Sequence, residues 1–187
     1  MIRELILQNR SRRRFHQEAV IGVETLKELV DLARLSASAA NVQPLKYFLS
    51  CDPEKNGVIF RHIGLAGNPP EGEWPSAYII VLGDKEIRQS FGCDHGIAVQ
   101  SIMLGATEKG LGGCIVGAIN RDKLRESLSI PSRYEILLVL ALGKPKDTTV
   151  IDPVGEDGNV RGWWDDEGTR HVPKRSLDDI IINWPAR

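Results

Sequence analysis

The chain has 187 residues, with 42% hydrophobic and 26% charged content and 24 Lys+Arg against 25 Asp+Glu for a formal charge of -1. That length suits one domain burying roughly 70% of its unfolded surface, and the charge balance excludes a globally basic nucleic-acid binder and an acidic disordered tail protein. Residues 1–10 lack the apolar centre of a signal peptide, and no stretch approaches the roughly 20 apolar residues of a membrane span, so no membrane role is expected.

In chain order, Ile2 to Gln8 reads as a short helix before the basic run Arg10-Ser11-Arg12-Arg13-Arg14. Thr25 to Glu28 is a candidate capping box, and Leu26, Leu29, Val30 and Ala33 form one apolar helical stripe. The helix runs into Ser36-Ala-Ser-Ala-Ala-Asn-Val-Gln-Pro44, where Pro44 forces Gln43 out of the helical region. Leu45 to Cys51 follows as a strand. Residues 52–76 read as loop, with Asn56-Gly57, Gly67-Asn68-Pro69-Pro70 and Trp74-Pro75 as turn signals.

Ala77 to Leu82 is a continuous apolar run suited to a strand buried on both faces. A helix from Asp94 to Lys109 carries a mostly small face, Ala98, Ser101, Ile102, Gly105 and Ala106, fit for a close partner. Cys114 to Ile119 is a third strand, Asp122 to Leu128 a short helix and Tyr134 to Leu142 a fourth strand. From Pro145 onward little periodicity appears before Leu177 to Ile182. A tail of about 40 residues (145–187) with this composition cannot form its own core and must wrap something. Alternating helices and apolar strands indicate an α/β or α+β sandwich.

The chemistry-bearing features are few. The 18 glycines exceed the usual share of about 7%, which points to close backbone approaches. Four guanidiniums around Ser11 suit a phosphate clamp, because Arg presents fixed donors matching phosphate oxygens. The other reading of that run is a solvated basic face or a nucleic-acid arm. The 36–44 stretch combines small residues with the amides of Asn41 and Gln43, which both donate and accept. Its other reading is a helix end followed by a turn.

Gly110 to Gly117 has neither a dinucleotide-binding nor a P-loop pattern, and its context is helix then strand. It reads instead as strand backbone lying against a ligand. Cys93-Asp94-His95 reads as structural, since no second cluster supplies the ligands of a metal site. Cys51, Cys93 and Cys114 are odd in number and lack CxxC, which excludes a disulfide framework and fits a reducing, cytoplasmic setting. Lys174-Arg175 reads either as a solvated helix start or as cations returned to a phosphate. With no catalytic set present, any reactivity is expected from a cofactor.

Taken in order, several segments resemble the FMN-dependent nitroreductase family. They are Arg10 to Arg13 with Phe15, Ser36 to Pro44, Asp94 to Gln100, Lys109 to Cys114, Ile130-Pro131, Leu142 to Pro145 and His171 to Arg175. The resemblance implies an α+β three-layer sandwich with a central, mainly antiparallel sheet, and an intertwined homodimer with two FMN sites at its interface. It implies that Arg10, Ser11 and Arg13 hold the FMN phosphate and ribityl chain, and that Ser38, Asn41 and Gln43 lie along the ribityl and ring edge. Val116 and Gly117 would bring strand backbone over the flavin, and Lys174 and Arg175 would return to the phosphate from the tail.

Asn9 stands where the family often has Arg, so that one phosphate donor is either missing or replaced by Arg12 or Arg14. Ala37 and Ala40 stand for a common Pro and Gly, and Leu45 for a common Trp. The activity implied is ping-pong hydride transfer from NADH or NADPH through FMN to a quinone, nitroaromatic or similar small-molecule acceptor. No protein catalytic residue and no metal is required. A flavin-binding module without turnover is the alternative. A nucleic-acid partner is disfavoured by the near-zero charge and the lack of an aromatic platform beside the arginines.

Overall fold

A computed structural model describes residues 1–182, so residues 183–187 of the expected tail lie outside the described part. The chain divides into two compact units, Met1–Lys146 and Asp147–Arg187. In chain order the first unit contains α1 (Ile2–Gln8), β1 (Phe15–His16), α2 (Val23–Arg34), β2 (Leu45–Ser50), α3 (Pro53–Arg61), β3 (Ala77–Asp84), α4 (Asp94–Glu108), β4 (Gly112–Val116), α5 (Arg121–Ser127) and β5 (Tyr134–Pro145).

Its sheet runs β2-β3-β5-β4, with β1 paired to the end of β5, and every pairing is antiparallel. β3 is buried along its whole length, as an apolar run flanked on both faces must be. Its alternate side chains feed two cores. Ala77, Ile79 and Val81 meet Leu26 and Leu29 of α2 and Ala98 and Ile102 of α4. Tyr78, Ile80 and Leu82 meet Ile59 of α3 and Leu124 of α5. The result is the expected three layers, helix, sheet, helix. In β5 a register shift sets Val81 opposite Leu138 but Leu82 opposite Ile136. That bulge lets Ile136 and Val139, of opposite parity, face the same core.

Four local expectations need correction. α2 starts at Val23 with Gly22 as its cap, so Thr25 lies inside the helix and caps nothing. The 52–76 region is not all loop: Asp52 accepts from the Lys55 amide and Pro53 opens α3, a sound helix start. Asn56 works from within that helix. It accepts from Ser50 Oγ at 2.7 Å and donates to the Ser76 carbonyl at 2.8 Å, tying α3 to β2 and β3. The small face of α4 finds its partner in this same chain, because a side chain at Gly105 would meet Leu32 Cδ1 of α2 at 2.2 Å.

The second unit is also more ordered than its sequence promises. β6 (Thr148–Pro153), β7 (Trp163–Trp164) and β8 (Thr169–Lys174) form a sheet of order β6-β8-β7, followed by α6 (Leu177–Ile180). No described residue of this unit is buried. Backbone pairing and one polar knot hold it. His171 faces Asp152 at 2.6 Å and Asp165 at 3.2 Å, with Trp163 stacked on its ring at 4.0 Å.

Candidate functional site

The basic run sits where two elements meet. The Arg12 amide donates to the Gly113 carbonyl at 2.8 Å, and Ser11 bridges to Gly113, so residues 11–12 lie against the start of β4. Glycine is needed there: a Cβ at Gly112 would fall 2.8 Å from Arg12 Cγ and 2.7 Å from Pro145 Cγ. The clamp and the glycine strand, distant in sequence, are therefore brought together.

The arginines are not equivalent. Arg14 pairs through Nε with Glu73 at 3.4 Å, and Lys146 joins the same carboxylate at 2.8 Å. Arg10 donates one Nη2 bond to the Ile6 carbonyl at the end of α1. Its Nε, together with Nε and Nη1 of Arg13, is buried without a partner. Burial first, then the charge of Arg12, holds Arg10 below its ordinary pKa. An unsatisfied buried donor costs about 1–3 kcal/mol and more when charged. Two guanidiniums of one run with three unspent donor nitrogens fit an oxyanion, and a phosphate monoester is matched by such donors.

Val116 is 4% exposed, with its side chain in the α3/α5 core, so only its backbone is available to a ligand. Gly117 follows it at the surface, and a Cβ there would meet nothing nearer than Leu138 Cδ2 at 3.9 Å.

The 36–44 loop is built differently from its sequence reading. Ala40, Asn41 and Gln43 have φ of 51, 54 and 52 degrees, three left-handed non-glycine residues within four positions. Each costs roughly 1–2 kcal/mol, and such strain clusters at functional sites. Gln43 has left the right-handed region as Pro44 demands, but for the left-handed one rather than the extended one. Ala40, in the place of a glycine, keeps a conformation natural to glycine.

Asp94, from the first turn of α4, holds the loop. Its Oδ2 accepts from Ser38 Oγ at 2.6 Å and its Oδ1 from the Ala39 amide at 3.0 Å, while Ser38 Oγ accepts from the Gln43 amide at 2.9 Å. Ser38 thus spends its only proton on Asp94 and cannot also donate to a ligand. Gln43 Nε2 bonds Asn41 Oδ1 at 3.1 Å, setting the two exposed amides side by side. The loop borders a cavity of about 200 Å³ lined by Ser38, Gln43, Lys46, Tyr47 and Asp94. The Ser38 hydrogen bond, foremost, keeps the Asp94 carboxyl below its ordinary value. Burial, helped by the charge of Asp94, pushes the Tyr47 phenol up to about 12. Asp94 was legible only as structural. Its carboxylate at a helix start was the available signal, but its partner lies 56 residues away.

The ten predicted residues thus fall into three groups. Arg10, Ser11 and Arg13 adjoin the strand leading to Val116 and Gly117; Ser38, Asn41 and Gln43 share the Asp94 loop. No hydrogen bond or ion pair among the described residues joins Arg10 or Arg13 to that loop. Lys174 and Arg175 belong to the second unit. Lys174 ends β8 opposite Pro153, and both are exposed. Among the described residues no cluster of His, Cys, Asp and Glu suits a metal ion, and no helix is long and apolar enough to cross a membrane.

A family model described as the nitroreductase family matches residues 74–144. The chain is 28% identical over 173 residues to an FMN reductase (NADPH) of Bacillus subtilis, covering 80% of this chain and 68% of that protein. It is 25% identical over 168 residues to an NADPH-flavin oxidoreductase of Vibrio harveyi, again covering 80% and 68%. A crystal structure of a nitroreductase family protein from Streptococcus pneumoniae superposes with a TM-score of 0.70 at 17% identity, covering 79% of this chain and 92% of that one, and it shares the fold.

Proposed function

We propose that the chain is a member of the nitroreductase family, which it resembles in the matched residues 74–144 and in fold, and that it is an FMN-dependent NAD(P)H oxidoreductase delivering electrons to a quinone, nitroaromatic or similar small acceptor. The carrying observation is that Arg10 and Arg13, in the run that meets β4, keep buried side-chain nitrogens without a partner. Bound FMN supplies the redox chemistry, accepting hydride from NADH or NADPH and passing electrons to the second substrate in a ping-pong cycle.

The chain's residues bind and orient. Arg10, Ser11 and Arg13 hold the phosphate, and Lys174 and Arg175 add positive charge to it in the assembled protein. Asn41 and Gln43 read the ring edge, and backbone at Val116 and Gly117 lies against the ring. Ser38 acts one step back, through the loop. The working form is a homodimer in which the tail from about residue 145 reaches the partner. Leu177, Ile180 and Ile182 on α6 and its flank, 70%, 60% and 87% exposed, favour such burial. Cys51, Cys93 and Cys114 form no disulfide, which favours a reducing, cytoplasmic setting.

The test is a visible spectrum of the purified protein, then anaerobic titration with NADH and NADPH and stopped-flow reoxidation by a quinone or nitroarene. Bleaching and rapid reoxidation are expected. A colourless protein that takes up no FMN overturns the reading, and bleaching without reoxidation makes the chain a binding module.

A further inference from the structure

We propose that Asp94 is a positioning residue for the flavin: acting through Ser38, it holds the 38–43 loop in its left-handed shape and so presents the Asn41 and Gln43 amides. The inference rests on the flavin reading above and assigns a role to a buried carboxylate that the reading leaves unused.

Asp94 is 2% exposed, and a buried carboxylate persists only where its oxygens are satisfied. Both are satisfied by one loop, Oδ2 by Ser38 Oγ and Oδ1 by the Ala39 amide. A hydroxyl has a single proton. Once directed at Asp94, its lone pairs turn back into the loop, where one receives the Gln43 amide at 2.9 Å. The relay therefore joins α4 to both ends of a segment containing Ala40, Asn41 and Gln43, all at positive φ.

Without the relay, alanine and glutamine have no intrinsic reason to stay left-handed, a region that asparagine alone of the three visits readily. With it, Gln43 Nε2 is held on Asn41 Oδ1 and on the Asn41 carbonyl. Both residues are exposed, and among the described residues no hydrogen bond takes the Gln43 side-chain oxygen, an acceptor, or the Asn41 side-chain amino group, a donor. That pattern complements a ring edge of alternating carbonyls and N–H. The charges around Asp94 suit an ionised carboxylate: Arg88 and His95 act on it from the flanking chain, and the Tyr47 phenol borders it from β2.

The experiment compares wild type with Asp94→Ala, Asp94→Asn, Ser38→Ala and Ser38→Thr, each checked for folding by circular dichroism. Hydrogen exchange at the Ala39 and Gln43 amides is read in flavin-free protein, and the FMN Kd and the bound-flavin spectrum in loaded protein. Loss of a charge-assisted relay is expected to weaken FMN binding about 10- to 100-fold in Asp94→Ala and Ser38→Ala. Exchange at both amides should rise and the flavin band shift.

Ser38→Thr keeps the hydroxyl and should retain near-wild-type affinity. Asp94→Asn keeps one acceptor and should fall between. Folded Asp94→Ala or Ser38→Ala protein with unchanged exchange and unchanged Kd overturns the proposal. If wild type itself takes up no FMN, the flavin reading fails first and the positioning role with it.

Discussion

Two glycines at either end of the strand expected to meet the flavin separate what the fold needs from what a ligand needs. In Gly113→Ala the new Cβ would fall 2.6 Å from the Ala141 carbonyl oxygen, 2.7 Å from Leu142 Cδ2 and 3.2 Å from Met103 Cε. The first is backbone locked in the β4–β5 pairing, where Gly113 sits opposite Leu142, so the clash has no soft exit. Overpacking of this kind costs about 1–3 kcal/mol. For a chain of this size each kcal/mol lowers Tm by roughly 2–4 °C, giving a fall of about 2–12 °C. In Gly117→Ala the nearest atom would be Leu138 Cδ2 at 3.9 Å, an ordinary contact, and φ there is not left-handed. Its Tm should be unchanged, or raised through a stiffer unfolded chain by about 0.4–1 kcal/mol.

If Gly117 backbone lies against the ring, that added methyl should weaken FMN binding roughly tenfold, about 1.4 kcal/mol. Scanning calorimetry of both flavin-free variants, with FMN titrations alongside, makes the comparison. Equal melting losses in the two variants, or an unaltered Kd in Gly117→Ala, would refute the reasoning.

Arg10→Ala and Arg13→Ala should each weaken FMN binding by about 1.5–3 kcal/mol, the worth of a charge-assisted bond. Fluorescence titration reads this, and Arg14→Ala, which loses a Glu73 contact instead, should leave FMN affinity near wild type. Ala40→Gly should raise Tm modestly, because relief of roughly 1–2 kcal/mol of left-handed strain outweighs the added unfolded freedom of about 0.5–1 kcal/mol; a lower Tm would contradict the assigned φ of 51 degrees. Leu29→Ala, at a fully buried position on α2, should cost about 2–5 kcal/mol in chemical denaturation.

His171 offers a pH test. Its pKa is raised, by the Asp165 hydrogen bond first and then by that to Asp152, above the ordinary 6.5. The folded state therefore binds the proton more tightly than the unfolded chain. Its stabilisation is complete below pH 6.5 and is lost as pH rises through the elevated folded value. Amide exchange in β6 and β8, corrected for its intrinsic pH dependence, should quicken across that window, and His171→Gln should abolish the effect.

Much of this molecule was readable residue by residue, where a pattern had only local rivals. The stripe Leu26, Leu29, Ala33 became the buried face of α2, and the unbroken apolar run from Ala77 became a strand covered on both faces. Asp52-Pro53 carried a helix start that the Asn56-Gly57 pair obscured as a turn, since Asn56 is there for a tertiary bond to Ser76. β6 and β8 left no alternation to find, because none of their residues is buried and backbone pairing alone defines them.

The sequence by itself determined the kind of protein: a layered α+β chain with a cluster of arginines, a small-residue loop ending in amides and a glycine-rich strand. Local propensity and hydrophobic periodicity act over a few residues, so they are written into neighbouring positions. Only the tertiary structure decided which of those residues are left to bind anything. It spent Arg14 on Glu73 and left Arg10 and Arg13 with unpaired donors. It also committed the Ser38 proton to Asp94 and filled the small face of α4 with Leu32. Each outcome depends on groups far apart in the chain meeting once the sheet is paired, and no local pattern records which partner arrives.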